Sequence, residues 1–552
     1  MKLFLISLFV LAITHGVNGQ ADSAAAYNDR AFTSYNQKNY AKSLYWMEKL
    51  FAMGFKDYQN NYNYYRAAIS ACQTNQIAKA NAYFDELANK HLHYSMYYDF
   101  KQDSMLLACV SSTQAWKKAI AYTKPKYDSV QAANQRYYQG ITDTTKRLNT
   151  SALLEEQRLA KLVGEGDFDQ VYQRLKNYNA YDAPPVVGHW TLYQIKINDT
   201  LTVPFLIHIP KQYRPRQKTP LYVFLQGAVR GRPQFMTRGN VPSNEAPIFK
   251  HALEEGAFIL YPFARKDIHW LYHPLAFQAI LNEVAFLKSL YNIDDNRVWL
   301  SGHSNGGEGA FYFAINQPTT FASFLAFTYF PQSYMTNTPL RNLTNHRTFY
   351  GISAKNDHLF KLSKVDSIYQ YAQSIGANWK NYALDGDHGL PINQANRVSF
   401  IYDTLFANVR NPFSPKIRWE TDNVRNGRCD WIAITQLDTT ARPAAWVSSY
   451  NPNMMAKDNR VKIDFNPHKT GVIEANIQNN IVSVKTSCIR EFSFYVYPEL
   501  VDTTKPISFI INGKATKPIP VTKNKSELAK AFIQTKDRVL LPVAKMVISV
   551  SR

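Results

Sequence analysis

The chain is 552 residues long, 45% apolar and 14% aromatic, the composition of a globular protein with material for several cores, and its length sets a soft prior of about three to four domains. Its formal charge is +21, from 63 Lys and Arg against 42 Asp and Glu, and a basic balance of this kind raises anionic partners: nucleic acid, a membrane surface, a cell-wall polymer or an acidic glycan. The basic residues form no dense run and no nucleic-acid module is present, so nucleic acid is excluded; scattered surface lysines account for the charge, with an acidic extracellular substrate as a lesser option.

Residues 1–19 read as a secretory signal. Lys2 is the positive start, Leu3 to Ile13 the apolar stretch, and Val17-Asn18-Gly19 a small-residue cleavage site. The stretch is too short to span a bilayer, and no later one is long and apolar enough, so a secreted or periplasmic protein without a transmembrane anchor is expected. Four cysteines fit that compartment. Cys72 and Cys109 lie in the N-terminal region, Cys429 and Cys488 in the C-terminal one, which suggests two disulfides, against four buried free thiols as the alternative. No C-x-x-C occurs, so a cysteine-rich zinc site is not expected.

Residues 20–125 read as helical pairs. Tyr27, Ala31 and Tyr35 share one helical face, and after Lys38-Asn39 a second helix carries Tyr40, Leu44, Met47 and Phe51. Ala68 and Ala71, then Ile77, Ala80, Phe84 and Leu87, repeat the pattern, with Ile77 standing 37 residues after Tyr40. This is similar to a pair of tetratricopeptide-type repeats, with an offset longer than the usual period of about 34 and without their consensus Gly and Pro. A plain helical hairpin bundle is the alternative, and either serves as a scaffold or a protein-partner surface. Residues 126–185 form a helical connector, with one amphipathic helix over Leu153-Leu154, Leu159 and Leu162-Val163, a break at Gly164-Glu165-Gly166, a second helix over Phe168 to Leu175, and an end at Pro184-Pro185.

Over 186–410 the periodicity changes to alternating strands and helices. A strand pair turns at Asn198-Asp199, and Leu221 to Leu225, Ala257 to Tyr261, Arg297 to Ser301, Phe324 to Thr328, Arg347 to Ile352 and Trp379 to Leu384 read as buried strands. Helices are expected at about 243–255, 274–291, 361–374 and 391–407. This is the pattern of an α/β protein with a parallel sheet covered on both faces. Gly302-His303-Ser304-Asn305-Gly306 sits between the strand ending at Ser301 and a helix start, the strand, turn and helix context that a G-x-S-x-G nucleophile requires. Ser304 is then the nucleophile, Asp357 the acid after the next strand but one, and His388 the base after the last strand, in the order Ser, Asp, His. The chemistry needs each type: a serine hydroxyl is a weak nucleophile until a base takes its proton, and a carboxylate fixes the imidazole tautomer and steadies the imidazolium. Asp385 and Asp387 compete for the acid role and His358 for the base. The oxyanion donors are expected to be the backbone N–H groups of Asn305, next to the nucleophile, and of Ala228, in the turn that Gly227 allows. His269 and His273 have i, i+4 spacing but no third ligand nearby, so no metal is expected, and no cofactor-binding loop is present.

The stretch Tyr291-Asn292-Ile293-Asp294-Asp295-Asn296-Arg297-Val298-Trp299-Leu300-Ser301-Gly302-His303-Ser304-Asn305-Gly306-Gly307 closely resembles the pattern Y-N-I-D-x-x-R-V-Y-x-x-G-H-S-x-G-G. That pattern belongs to secreted α/β-hydrolases of the esterase D, polyhydroxybutyrate depolymerase and feruloyl esterase type, also described as predicted peptidases of the prolyl-oligopeptidase family. The resemblance covers about 187–410 and implies an α/β-hydrolase core that cleaves an ester, or less often a peptide bond. Gln226-Gly227 stands where the family commonly has His-Gly, and Asn305 where Met is common; both changes reshape the substrate side.

From 411 to 552 the chain is β-rich. Ile417 to Glu420, Trp431 to Ile434, Val472 to Ala475 and Ile481 to Val484 are short strands, and Ile507 to Ile511 leads into a hairpin at Asn512-Gly513. This resembles a β-rich module that follows some of these hydrolases. Trp419 and Trp431 are more simply core residues than carbohydrate contacts. The sequence therefore reads as an exported serine hydrolase acting on a carboxylic ester, polysaccharide-linked or acidic among the options. The alternatives are a secreted serine peptidase of the prolyl-oligopeptidase type and a binding protein with an idle hydrolase fold.

Overall fold

The computed structural model describes residues 37–54, 59–94, 96–129, 163–184, 186–229, 247–389, 395–452 and 462–550, with single positions between 24 and 35 and at 132, 235, 454 and 455. The signal segment and the expected helix over Leu153 to Leu162 lie outside the described residues. The chain divides into two compact units, Met1–Gln139 and Gly140–Arg552.

The first unit is helical: α1 (Tyr40–Ala52), α2 (Asn61–Gln73), α3 (Ile77–Lys90), α4 (Met96–Gln102) and a further helix over 114–129. Tyr40 and Ile77 each open a helix, and the turns before them are alike. Lys38 and Asn75 both take φ 58°, and Asn39 and Gln76 both donate back to a carbonyl five residues earlier, Ser34 and Ala71. Leu44, Phe84, Leu87 and Ile69 share one core. Cys72 and Cys109 are joined by a disulfide.

The second unit is built on an eight-stranded sheet: β1 (Trp190–Asn198), β2 (Leu201–His208), β3 (Thr219–Leu225), β4 (Phe258–Pro262), β5 (Ile293–His303), β6 (Ser323–Phe327), β7 (Phe349–Ala354) and β8 (Trp379–Leu384). Its order is β1-β2-β4-β3-β5-β6-β7-β8, with β1 and β2 antiparallel and every pair from β4 to β8 parallel. Side chains alternate between two cores. Val298 and Leu300 of β5 face one, with Val284 of the helix Pro274–Leu290; Trp299 faces the other. Asn305–Asn316 and Leu362–Ser374 join the first core through Phe311 and Ile368, and Lys250–Glu254 and Ser399–Ala407 join the second through Ala252 and Leu405. This strand order, with helices on both faces, is the α/β-hydrolase fold.

In chain order the helices of this unit are α5 (Phe168–Lys176), α6 (Lys250–Glu254), α7 (Pro274–Leu290), α8 (Asn305–Asn316), α9 (Leu362–Ser374), α10 (Ser399–Ala407) and α11 (Lys525–Thr535).

The same unit holds the β-rich C-terminal strands: β9 (Lys416–Thr421), β10 (Arg428–Cys429), β11 (Ile432–Leu437), β12 (Met454–Met455), β13 (Lys462–Ile463), β14 (Gly471–Gln478), β15 (Ile481–Ser487), β16 (Ile489–Val496), β17 (Ser508–Ile511), β18 (Lys514–Ala515) and β19 (Ala544–Ser549). A four-stranded sheet, β10-β11-β16-β19, and a five-stranded one, β18-β17-β15-β14-β9, share a core that includes Trp419, Trp431, Ile473, Phe492 and Phe494. Trp419 and Trp431 are fully buried and donate to the carbonyls of Asn426 and Ser414, so neither is available to a carbohydrate. Asn512 and Gly513 both take positive φ in the hairpin turn, as a two-residue type I′ turn requires. Helix α5 adds Val171, Tyr172 and Leu175 to this C-terminal core, not to the eight-stranded sheet.

The second expected disulfide is absent: Cys429 and Cys488 are free and buried. Cys429 pairs across from Ile432 at one end of β11, and Cys488 adjoins Ile489, which pairs across from Leu437 at the other end. That places them roughly 16 Å apart along the strand, more than twice the reach of a disulfide.

Candidate active site

Ser304 stands between β5 and α8 with φ 55° and ψ −121°, a region a non-glycine residue seldom occupies. The conformation is held on both sides. Ser304 N–H donates to Phe327 O on β6 at 3.0 Å, and Glu308 N–H donates to Ser304 O at 3.0 Å. The start of α8 lies so close to β3 that a Cβ on Gly306 would overlap the Leu225 carbonyl. Only glycine fits there, which is why the motif needs it.

Asp357 and His388 follow β7 and β8, neighbours in the sheet, and meet at 2.8 Å between Asp357 Oδ2 and His388 Nδ1. The other oxygen, Oδ1, accepts from the N–H groups of Leu359 at 2.8 Å and Phe360 at 3.0 Å. Burial pushes the Asp357 carboxyl up, but the hydrogen bond and charge of His388 and the two N–H groups outweigh it, so its pKa lies below the ordinary carboxylate value. Facing a carboxylate, Nδ1 carries the imidazole proton, which leaves Nε2 as the basic nitrogen.

The backbone of His388 is fixed by two residues to which no role was expected from sequence. Its carbonyl accepts from Thr328 Oγ1 at 3.0 Å and from His303 Nε2 at 2.8 Å. Burial pushes the His303 pKa down to about 4, so this imidazole is neutral and Nε2 carries its proton. The edge of Phe360 meets the His388 ring at 5.4 Å between centroids. His303 lies inside the G-x-S-x-G motif, and Thr328 at the carboxyl end of β6; strand-end position is the only signal that pointed to Thr328.

The turn Gln226-Gly227-Ala228 follows β3 and passes directly over Ser304. A Cβ on Gly227 would lie 2.9 Å from Ser304 Cβ and 3.0 Å from His303 O, and Ala228 takes φ 54°. Gln226 is buried and accepts from Tyr261 OH at 2.9 Å. Asn305 opens α8, and its Nδ2 donates to Glu308 Oε2 at 2.9 Å, while Glu308 Oε1 accepts from Tyr334 OH at 2.6 Å. Sequence reasoning did not single out Glu308 or Tyr334. A carboxylate in the first turn of a helix lies at the favourable end of its dipole. Residues 230–234, 236–246 and 390–394, which continue from the two turns, lie outside the described residues.

Two of the three competing residues have other partners, and the third points to solvent. Asp385 pairs with Lys355 at 2.8 Å, Asp387 accepts from Gly389 N–H at 2.9 Å, and His358 is exposed. His269 Nδ1 accepts from Leu271 N–H at 3.3 Å. Among the described residues, no group of three His, Cys, Asp or Glu side chains is arranged to hold a metal ion.

No family model matches the chain, and no curated protein does. Solved structures do match. A thermostable esterase is 19% identical over 40% of this chain and 63% of its own, with a TM-score of 0.35. The acylaminoacyl peptidase of Pyrococcus horikoshii is 16% identical over 41% of this chain and 42% of its own, with a TM-score of 0.34. A ferulic acid esterase is 13% identical over 40% of this chain and 99% of its own, with a TM-score of 0.31. The chain thus spans less than two thirds of the length of the first two. At these values the likenesses carry no argument about activity, and the fold rests on the strand order and connections described above.

Proposed function

We propose that the chain is a serine hydrolase that cleaves a carboxylic ester through an acyl-enzyme. Ser304 attacks the acyl carbon, His388 Nε2 takes the serine proton and returns it to the leaving alcohol, and Asp357 holds the tautomer and steadies the imidazolium. The N–H groups of Asn305 and Ala228 bind the oxyanion. The observation that carries this reading is the 2.8 Å pairing of His388 with a buried Asp357 at the carboxyl ends of adjacent strands, in the sheet whose β5 leads into the strained Ser304. Water then attacks the acyl-enzyme by the same proton route in reverse. The protein belongs in an oxidising compartment, secreted or periplasmic, and the Cys72–Cys109 disulfide supports that. The helical first unit, tetratricopeptide-like in its repeated hairpin, serves as a scaffold or protein-binding surface.

The test is turnover of a panel of chromogenic esters and aminopeptidyl amides by the purified chain and by Ser304→Ala. The reading expects ester turnover that the substitution removes. Amide turnover exceeding that of every ester would make it a peptidase, and turnover of neither would favour an idle fold.

A further inference from the structure

The outer face of the five-stranded sheet forms the floor of an open groove of about 690 Å³, with the loop at His346 as one wall and the hairpin turn at Gly513 at one end. Its size falls in the range of ligand sites, roughly 300–1,000 Å³. The residues that cover the floor lie in lateral rows across the strands. Arg418, Glu474 and Lys485 form one row, and Lys416, Asn476, Ser483 and Ile510 the next. Lys416 and Lys485 are exposed, and among the described residues neither ammonium has a carboxylate partner. The single carboxylate lining the groove, Glu474, is already paired with Arg418 at 2.8 Å. Burial pushes the His346 pKa down to about 4, so that wall is neutral near pH 7. The groove therefore carries an uncompensated charge from two lysines about 12 Å apart, by strand spacing and rise, with amide and hydroxyl groups between them.

We propose that this groove binds an anionic polysaccharide, a chain whose sugars carry carboxylate or sulfate groups. The two separated cations suit charges on different units of one chain better than one small anion. Asn476 and Ser483 between them offer both donors and acceptors, as sugar hydroxyls require. The groove lies on a different sheet from Ser304, so it would hold a polymer without taking part in the chemistry.

The test is affinity electrophoresis of the full chain in gels containing polygalacturonate, dextran sulfate, uncharged dextran or polyglutamate. The wild-type chain is expected to be retarded by polygalacturonate or dextran sulfate and not by dextran, with retardation weakening as salt rises. Lys416→Glu/Lys485→Glu is expected to weaken the retardation about tenfold or more, while its thermal midpoint and small-ester turnover stay unchanged. A control of equal net charge, Lys42→Glu/Lys530→Glu, is expected to bind as the wild type does. No retardation by either anionic glycan, or equal loss in both double variants, would overturn the proposal. Retardation by polyglutamate as strong as by the glycans would overturn the assignment to carbohydrate.

Discussion

The proposed mechanism needs His388 in place beside Ser304, and His388 is held at two points: its ring by Asp357 and its carbonyl by His303 and Thr328. Because such groups act as a unit, Ser304→Ala and His388→Ala are each expected to lower kcat by roughly 10⁴-fold or more, and Asp357→Asn by about 10⁴-fold through the wrong tautomer. Steady-state ester hydrolysis checks all three. His303 makes a prediction about stability. Its folded pKa, about 4, lies below its ordinary value of 6.5, so the unfolded chain takes the proton first as pH falls. The contribution is complete above about pH 6.5 and is lost progressively down to about pH 4. At pH 5 the loss is of order 2 kcal/mol. Urea unfolding of wild type and His303→Asn at pH 7.5 and pH 5 is expected to show a smaller acid loss in the variant by about that amount; equal losses would mean that His303 is not buried neutral.

At the scale of elements, the helical hairpins and the sheet strands were legible for different reasons. Tyr40 and Ile77 opened helices as the 3.6-residue periodicity of Leu44, Met47, Ala80 and Phe84 required, and the turns Lys38-Asn39 and Asn75-Gln76 ended up with the same backbone. Continuous apolar runs such as Leu221 to Leu225 became strands buried on both faces. What stayed hidden was set by contacts between distant segments. Strand β16 and helix α11 went unread, although their side chains fill the C-terminal core. The cysteine pairing followed proximity in sequence region, and it held for Cys72–Cys109 but not for Cys429 and Cys488, which β11 separates. In the candidate site, Ser304, Asp357 and His388 could be proposed from sequence because each follows a strand, whereas the contacts of Thr328 and Glu308 depend on side-chain directions that no spacing records. The disulfide closes a loop across a sequence separation of 37, and its removal by Cys72→Ser/Cys109→Ser is expected to cost about 4 kcal/mol by chain entropy. Thermal unfolding of the isolated double variant against wild type checks this, and an unchanged first-unit transition would contradict it.

At the scale of the whole molecule, buried charges within the second unit join α7 and β5 to the segment between α11 and β19. Asp295 pairs with Lys288 at 2.9 Å and with Arg538 at 2.8 Å, and Asp537 pairs with Lys288 at 3.2 Å and with Arg410 at 2.8 Å. All five side chains are almost fully buried. Burial pushes the Asp537 carboxyl up, but Arg410 and Lys288 hold it far below the ordinary range. Asp295 belongs to the stretch that carries the family resemblance, and here it anchors Arg538. Breaking such a network by removing one partner leaves a buried charge uncompensated, so Asp537→Asn is expected to cost about 3–5 kcal/mol, read by urea unfolding. A chain stopped at residue 410 loses both Asp537 and Arg538 and is expected to be insoluble. Deletion of 20–125 removes none of the groups proposed to be catalytic and is expected to leave small-ester turnover largely intact; loss of turnover in well-folded protein would show that those helices help to build the site. The central claim is that Ser304 is an activated nucleophile, and the most direct measurement is reaction with a fluorophosphonate probe followed by mass spectrometry of the labelled peptide. The account predicts one adduct, on Ser304, absent from Ser304→Ala and strongly slowed in His388→Ala. No labelling of the folded wild-type chain, or an adduct on another residue that survives Ser304→Ala, would contradict it.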